Sequence, residues 1–167
     1  MKIYLLGLPG SGKTTLGKEL ALMFQVPFVD LDAEVEKSEG MSIQEIFSKR
    51  KEDHFRKAES SQLKRLSAQK EDFVMSSGGG TPCFFDNLSV MSATGTTVFL
   101  DVPPSEISRR IKGSTLSDRP LFANVHPENL KDQIEFMRSQ RISFYRQARI
   151  TQSGTEVSAK VLADKIR

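Results

Sequence analysis

The chain has 167 residues, 38% of them hydrophobic and 27% charged, which suits one domain able to bury a core. Its formal net charge is only +3 and the basic residues form no dense tract, which argues against a nucleic-acid interface and favours small anionic ligands. The single cysteine, Cys83, excludes an internal disulfide, and no apolar run approaches the length of a membrane span. We expect one domain over residues 1–167, in the cytoplasm, without a nucleic-acid or membrane partner. We also expect a monomer.

The first predicted element is a strand over Ile3-Tyr4-Leu5-Leu6, and a glycine-rich segment follows it. That segment, Gly7-Leu8-Pro9-Gly10-Ser11-Gly12-Lys13-Thr14, fits the pattern G-x-x-x-x-G-K-[ST] at every fixed position. Its glycines let the backbone curl so that successive N–H groups point inward at the start of a helix, which makes a phosphate site. Lys13 would reach the β- and γ-phosphates of ATP, and the Thr14 hydroxyl would bind Mg²⁺. The predicted ATP-binding residues of this loop are Gly10, Ser11, Gly12, Lys13, Thr14 and Thr15.

The next elements place two carboxylates beside this loop. Apolar residues at helical spacing predict a helix over 13–24, and residues 26–29 predict a short strand that ends at Asp30-Leu31-Asp32. In a strand–helix–strand unit with parallel strands, both aspartates reach the sheet edge where the phosphate loop lies. One could bind Mg²⁺ through water while the other accepts a proton from a substrate hydroxyl. The alternative is that they cap a helix starting at Ala33.

Two helices are predicted after this unit. Ser42 followed by Glu45 is typical of a capping box and starts a short helix, and a second helix runs over about 52–68. Arg56 lies in the second helix with Glu59 one turn later, close enough for the carboxylate to orient the guanidinium. The alternative for this pair is an ordinary surface ion pair.

The second half of the chain continues the alternation of strands and helices. A strand over 73–77 ends at Gly78-Gly79-Gly80, which predicts a loop or a place where a ligand approaches the backbone closely. The remaining elements are predicted as a helix over 86–92 that Asp86 caps, a strand over 96–100, a helix over 105–111, a helix over 127–148, a strand over 149–152 and a helix over 155–166. This alternation predicts an α/β fold with a parallel five-stranded sheet and helices on both faces.

A long polar segment over about 112–124 has no apolar periodicity. Such a segment is typical of a lid loop. Arg119 precedes Pro120 inside it, and a closing lid would carry this cation onto the transferring phosphoryl group. The alternative for Arg119 is a solvated loop arginine.

Six motifs follow one another in a specific order: the phosphate loop, Asp30-x-Asp32, Glu52-x-x-Phe55-Arg56, Gly78-Gly79-Gly80, Arg119-Pro120-Leu121 and Arg141-x-x-x-Tyr145-Arg146. Read together over nearly the whole chain, they resemble the motifs of the shikimate kinase family. The resemblance implies a P-loop fold of the nucleoside-monophosphate-kinase type, with strand order 2-3-1-4-5 and a lid loop. It also implies transfer of the ATP γ-phosphate to the 3-hydroxyl of shikimate in aromatic amino acid biosynthesis, with ATP and Mg²⁺ as cofactors.

The resemblance further implies how the acceptor is bound. Asp32 would bind the hydroxyls of shikimate and act as the base. Arg56 and Arg141 would clamp its carboxylate, and the Gly79 N–H would bind a substrate hydroxyl. Two planar guanidinium groups are the expected partners of a carboxylate. A helical region over about 33–61 would form the substrate-binding part of the domain.

On the nucleotide side, the resemblance implies that Lys13 and Arg119 are catalytic and that Asp30 lies near Mg²⁺ and binds it through water. Lys112 stands where the family often has an arginine opening the lid, and it would contact ATP. The loop Gln152-Ser153-Gly154-Thr155, on the adenine side, lacks the proline expected there.

Two other functions fit parts of the sequence. Another small-molecule kinase of the same fold, acting on gluconate or a nucleoside monophosphate, would share the phosphate loop but not the two-arginine clamp. An ATP-dependent binding module would bind nucleic acid with a steep salt dependence and transfer no phosphate to a small alcohol. The modest net charge counts against the second alternative.

Overall fold

A five-stranded parallel sheet forms the centre of the structure, a computed structural model that describes residues 1–113, 121–122 and 124–167. Its strands are β1 (Lys2–Leu6), β2 (Phe28–Asp30), β3 (Phe73–Ser76), β4 (Thr96–Asp101) and β5 (Ile150–Ser153). They lie in the order β2-β3-β1-β4-β5, and all four neighbouring pairs are parallel. The predicted parallel sheet and its strand order are confirmed.

Seven helices lie in the part of the chain that the structure describes. They are α1 (Lys13–Phe24), α2 (Leu31–Glu39), α3 (Ile43–Ala68), α4 (Asn87–Thr94), α5 (Pro104–Lys112), α6 (Leu130–Tyr145) and α7 (Ala159–Ile166). Short 3-10 turns, Thr81–Cys83 and Pro127–Asn129, precede α4 and α6. None of these described helices combines the length and the apolar character that crossing a bilayer requires.

Side chains of β1 alternate between two cores, one on each face of the sheet. Ile3 and Leu5 belong to the core that includes α1 and α7, whereas Tyr4 and Leu6 belong to the core that includes α3, α4, α5 and α6. All four side chains are fully buried. Helices therefore cover both faces, as predicted, and ligands have access to the sheet at the carboxyl ends of its strands.

The segment between β2 and β3 is more helical than predicted. α2 begins at Leu31, directly after β2, where the sequence analysis placed the end of the strand. The two helices predicted next are joined as α3, but Lys51 interrupts this helix with φ 69° and ψ 173°. The boundary between them is thus confirmed. Ser42 caps the first part, as predicted, because its hydroxyl accepts a hydrogen bond from the Glu45 N–H at 3.1 Å.

Three helix ends differ from the prediction. Asp86 precedes α4 but makes no capping hydrogen bond within the described residues, since its carboxylate pairs with Lys64 Nζ at 2.7 Å. The predicted Asp86 cap is therefore wrong. α6 ends at Tyr145, three residues before the predicted end. α7 begins at residue 159 instead of 155, because the Ser158 hydroxyl caps it by accepting from the Val161 N–H.

The predicted lid over 112–124 falls mostly outside the described residues. Residues 114–120 and 123 are among those not described, so the lid and Arg119 stay predictions. Lys112 is exposed at the last position of α5. Phe122, on the far side of the segment, is buried in the core that includes α6.

Candidate active site

A cleft with a volume of about 950 Å³ lies at the carboxyl ends of β1, β2 and β3, the edge where the sequence predicts the site. Predicted site residues from separate parts of the chain line this cleft: Gly10, Ser11, Gly12, Lys13, Thr14, Thr15, Asp30, Asp32, Arg56, Gly79 and Arg141. Lys112 is not among the described residues that line it, and Arg119 lies outside the described residues. The fold therefore brings the predicted phosphate-binding loop, the two aspartates and the two arginines into one cavity.

The glycine-rich loop forms part of the cleft wall. Gly10 and Gly12 have φ values of 83° and 92°, in the left-handed region that strains any residue with a Cβ. Lys13 folds back over the loop, where its Nζ donates to two main-chain carbonyls at 2.8 and 3.0 Å. The Ser11 hydroxyl is buried and has no hydrogen-bond partner among the described residues. A curled loop with a lysine and an unsatisfied hydroxyl at a helix start has the chemistry of a phosphate site.

The two aspartates have different surroundings although one residue separates them. Asp30 caps α2, because its carboxylate accepts hydrogen bonds from the N–H groups of Asp32 at 3.0 Å and Ala33 at 3.3 Å. The capping alternative therefore describes Asp30. Asp32 lies in the first turn of α2, half-buried in the cleft. Burial, followed by the charges of Glu59 and Asp30, raises the pKa of Asp32 from 3.8 to about 6.

The triple glycine lets charged side chains approach the backbone. A methyl group on any of these three glycines would come within 3.0 Å of a charged side chain. The distances would be 2.8 Å from a methyl on Gly78 to Glu59 Oε2, 2.9 Å from one on Gly79 to Arg141 Nη1 and 2.6 Å from one on Gly80 to Arg56 Nη2. The methyl on Gly78 would also lie 3.3 Å from Asp32 Oδ1. A Cβ at any of these positions would therefore force a neighbouring side chain to shift, and the predicted close approach of a ligand stays a prediction.

Arg56 is buried beside this glycine loop. Only 6% of the residue is exposed, and its Nη1 donates to Glu59 Oε1 at 3.0 Å. Glu59 is fully buried and also accepts a hydrogen bond from the Thr81 hydroxyl at 2.7 Å. Burial raises the pKa of Glu59, and the Arg56 charge opposes this rise. The prediction that Glu59 orients Arg56 is confirmed, and the alternative of a surface ion pair is wrong.

Arg141 reaches the same loop from α6. Its Nη1 is buried and lacks a hydrogen-bond partner among the described residues. One turn later on α6, Tyr145 is fully buried and donates from its hydroxyl to the Gly79 carbonyl at 2.5 Å. Burial raises the pKa of Tyr145 well above its usual range, which keeps this donor protonated. A buried guanidinium nitrogen without a partner, on a residue that lines a cavity, indicates an anionic ligand.

Arg110 is a residue that the sequence analysis missed. Its guanidinium donates to the Gly10 carbonyl at 3.3 Å and to the Thr155 carbonyl, and its Nε donates to Glu106 at 3.0 Å. It lines the cleft, whereas Lys112, predicted to contact ATP, does not. The pair Arg109-Arg110 in the sequence is the only signal that could have drawn attention to it, and only the fold shows which arginine faces the loop.

Residues suited to Mg²⁺ lie next to the phosphate loop. Thr14 is exposed to the cleft, and Asp30 and Asp32 line the same cavity. In the part of the chain that is described, no three His, Cys, Asp or Glu side chains are grouped to hold a metal ion. The oxygen donors of Thr14, Asp30 and Asp32 fit Mg²⁺, which is usually held by one or two protein carboxylates together with substrate phosphates.

Comparison with known proteins identifies the family. Residues 9–167 match the family model described as shikimate kinase. The chain belongs to the shikimate kinase family. Shikimate kinases are ATP-dependent kinases of aromatic amino acid biosynthesis, so the predicted family and the predicted use of ATP are confirmed.

Individual shikimate kinases are similar to this chain over most of its length. The shikimate kinase of Phocaeicola vulgatus is 44% identical over 148 residues, which cover 89% of this chain and 83% of that protein. A crystal structure of shikimate kinase from Bacteroides thetaiotaomicron has a TM-score of 0.90 at 35% identity and covers 99% of this chain and 95% of its own. A structure of shikimate kinase from Acinetobacter baumannii in complex with shikimate has a TM-score of 0.87 at 33% identity. The match covers 99% of this chain and 89% of that chain. These likenesses confirm the fold that the motifs implied.

Proposed function

We propose that this chain transfers the γ-phosphate of ATP to the 3-hydroxyl of shikimate. The observation that carries the proposal is the convergence of Arg56 and Arg141, from two different helices, on the triple glycine beside the phosphate loop. Two guanidinium groups that line one cleft suit a small carboxylic acid, and the adjacent loop suits a nucleotide phosphate chain. The shikimate complex of the Acinetobacter baumannii relative supports the same acceptor.

The donor side of the reaction depends on the loop and α1. ATP phosphates would lie against the loop, where the Ser11 hydroxyl gains a partner and Lys13 moves from the loop carbonyls to the β- and γ-phosphate oxygens. Thr14 would hold Mg²⁺, with Asp30 contributing through water. When bound, Mg²⁺ neutralises charge that develops on the phosphate oxygens.

The acceptor side positions an alcohol for attack. Arg56 and Arg141 would bind the carboxylate of shikimate, and the Gly79 N–H would donate to one of its hydroxyls. The 3-hydroxyl oxygen forms a bond to the γ-phosphorus as the bond to the oxygen bridging the β- and γ-phosphates breaks. Asp32 would accept the hydroxyl proton, which leaves ADP and phosphorylated shikimate. Its raised pKa places this carboxylate near the range that suits a general base at neutral pH.

Other parts of the assignment stay predictions. Arg119 would bring a further positive charge to the transferring phosphoryl group, and Lys112 would contact the nucleotide. A monomer in the cytoplasm is the form that we expect.

The clamp is tested by replacing its two arginines separately. We expect Arg56→Ala and Arg141→Ala each to raise the KM for shikimate about 30- to 150-fold, because a charge-assisted contact is worth about 2–3 kcal/mol. The KM for ATP should stay within about twofold, since the phosphate loop is unchanged. Arg138→Ala is the matched control: Arg138 lies on the same helix, but it pairs with Asp101 at 2.9 Å and does not line the cleft.

The substrate is tested against the two alternatives in one assay. ADP release is measured with shikimate, gluconate and a nucleoside monophosphate in parallel. Shikimate should be the acceptor that turns over, and preferred turnover of either other compound would show a different kinase of the same fold. Unchanged KM values for shikimate in both arginine variants would contradict the proposed clamp.

A further inference from the structure

Arg56 contacts a turn whose residues are not among the described residues lining the cleft. This turn comprises the 3-10 segment Thr81–Cys83 and the residue after it, Phe84. The Arg56 Cζ atom lies 4.2 Å from the centroid of the Phe84 ring, closer than the 5.1 Å that separates it from the Phe55 ring. A guanidinium over an aromatic face at this distance is a cation–π contact.

The same turn reaches Arg56 through Glu59. The Thr81 hydroxyl donates to Glu59 Oε2 at 2.7 Å, while Glu59 Oε1 accepts from Arg56 Nη1 at 3.0 Å. The two oxygens of one fully buried carboxylate are therefore occupied by Thr81 and Arg56. If the Thr81 hydroxyl were missing, Glu59 Oε2 would lose its hydrogen-bond partner in a buried position. Rotation of the carboxylate toward another partner would then weaken its hydrogen bond with Arg56.

Thr81 is itself held firmly. Its residue is fully buried, its N–H donates to the Gly78 carbonyl at 3.1 Å, and its carbonyl accepts from Asn87 Nδ2 at 2.9 Å. Asn87 Oδ1 accepts in turn from the buried Ser60 hydroxyl at 2.7 Å. This series of hydrogen bonds connects α4 and α3 to the arginine, so the turn is a rigid support.

We propose that Thr81 and Phe84 are positioning residues for acceptor binding: Thr81 through Glu59 and Phe84 through its ring face together hold the Arg56 guanidinium toward the acid group of the substrate. The inference rests on the proposed function, in which Arg56 binds the carboxylate of shikimate. Neither Thr81 nor Phe84 is among the described residues lining the cleft, so each acts through Arg56 and touches no reacting atom. Their loss should weaken shikimate binding and leave nucleotide binding unchanged.

Binding of shikimate to the nucleotide-free chain, measured by titration calorimetry, tests the Phe84 contact. Phe84→Leu keeps an apolar side chain but removes the π face, and we expect the Kd to rise about five- to tenfold. Phe84→Tyr keeps the face and should bind like the wild type. Phe85→Leu is the matched control, because Phe85 is the next residue, 63% exposed, and has no described ring contact with Arg56.

The Thr81 contact is tested in the same way. Thr81→Val keeps the shape of the side chain and removes the hydroxyl, and we expect a rise in Kd for shikimate of about five- to tenfold. Thr81→Ser restores the hydroxyl and should recover most of the affinity. In all four variants at these two positions the Kd for ADP should stay within about twofold of the wild-type value.

A thermodynamic cycle separates positioning from general disruption. In an Arg56→Ala background, Phe84→Leu and Thr81→Val should cause no further loss of affinity, because the group that they position is gone. Equal losses with and without Arg56, or wild-type affinity in both single variants, would overturn the inference. Wild-type binding of shikimate tests the proposed function separately: if the wild-type chain binds no shikimate, the proposed function is wrong and this inference with it.

Discussion

Two carboxylates that are nearly adjacent in the sequence, Asp30 and Asp32, take different roles because a helix begins between them. Asp30 is the last residue of β2, and its carboxylate is occupied by two N–H groups of α2. Asp32 lies one residue inside the helix, where its side chain enters the cleft beside Glu59 and the triple glycine. The result is one carboxylate that holds a helix end and another with a raised pKa.

The raised pKa of Asp32 predicts an acid limb in the pH profile. In its proposed role as the base, Asp32 must be unprotonated, so kcat/KM for shikimate should rise about tenfold per pH unit below about 6 and level off above it. Asp32→Asn should lose activity by two or more orders of magnitude, on the order of the contribution of a general base.

Because ATP phosphates also titrate, the Asp32 carboxyl is followed independently by NMR in the ligand-free chain. Its resonance is assigned by its disappearance in the Asp32→Asn variant. A midpoint near 4 would contradict the assignment of Asp32 as a base with a raised pKa.

At the scale of the element, both parts of the interrupted helix α3 contribute residues to the cleft. Ile43 and Phe47 line the cleft from its first part, and Arg56 and Glu59 line it from the second. Lys51 makes the interruption, with φ 69° and ψ 173°, a conformation that is essentially restricted to glycine. The change of direction aims both parts at one cavity at the cost of backbone strain.

Relief of the backbone strain at Lys51 should raise the free energy of unfolding. Lys51→Gly should raise the free energy of unfolding by about 1 kcal/mol, since glycine adopts this conformation readily but is more flexible when unfolded. The expected rise in Tm is about 3 °C.

Lys49→Gly, two residues earlier in regular helix, is the matched control and should lower the free energy of unfolding by about 1 kcal/mol. Chemical denaturation of both variants gives the comparison. Equal destabilisation by both glycines would show that Lys51 is not strained.

At the scale of the whole molecule, the strand order decides which groups meet. β1 lies between β3 and β4, so the phosphate loop that follows β1 lies beside the triple glycine that follows β3. β2 is next to β3 and brings Asp30 and Asp32 to the same edge. α6, from late in the chain, then adds Arg141 to the same cleft. A single cleft is thus assembled from residues more than 100 positions apart.

Because the proposed acceptor site combines residues of α2, α3 and α6, shikimate should stabilise the folded chain as a whole. At a concentration of 100 times its Kd, a ligand that binds only the folded state adds about 2.7 kcal/mol, or about 5–10 °C in Tm. Thermal unfolding with shikimate should show this shift, and gluconate at the same concentration should not. An equal shift with both acids would indicate that the cleft does not select shikimate.

The phosphate loop and the parallel sheet could be predicted from the sequence because they depend on local rules, whereas the strand order was implied by the family resemblance. The positions of glycine in Gly7–Thr14 allow the loop its positive φ values, and the alternation of strands and helices allows a parallel sheet. The substrate-binding roles expected of Asp32, Arg56, Gly79 and Arg141 were implied by a resemblance between motifs, and all four residues line the cleft.

The sequence by itself therefore determined the nucleotide loop, the sheet and the family. Only the tertiary structure decided that Arg110 and not Lys112 faces the loop, that Glu59 is fully buried, and that the turn after the glycines supports Arg56. The physical reason is the distance along the chain between the residues that interact. Backbone conformation follows from neighbouring residues, whereas the burial and the partners of a long charged side chain depend on packing between segments far apart in the chain, such as Arg110 and Gly10.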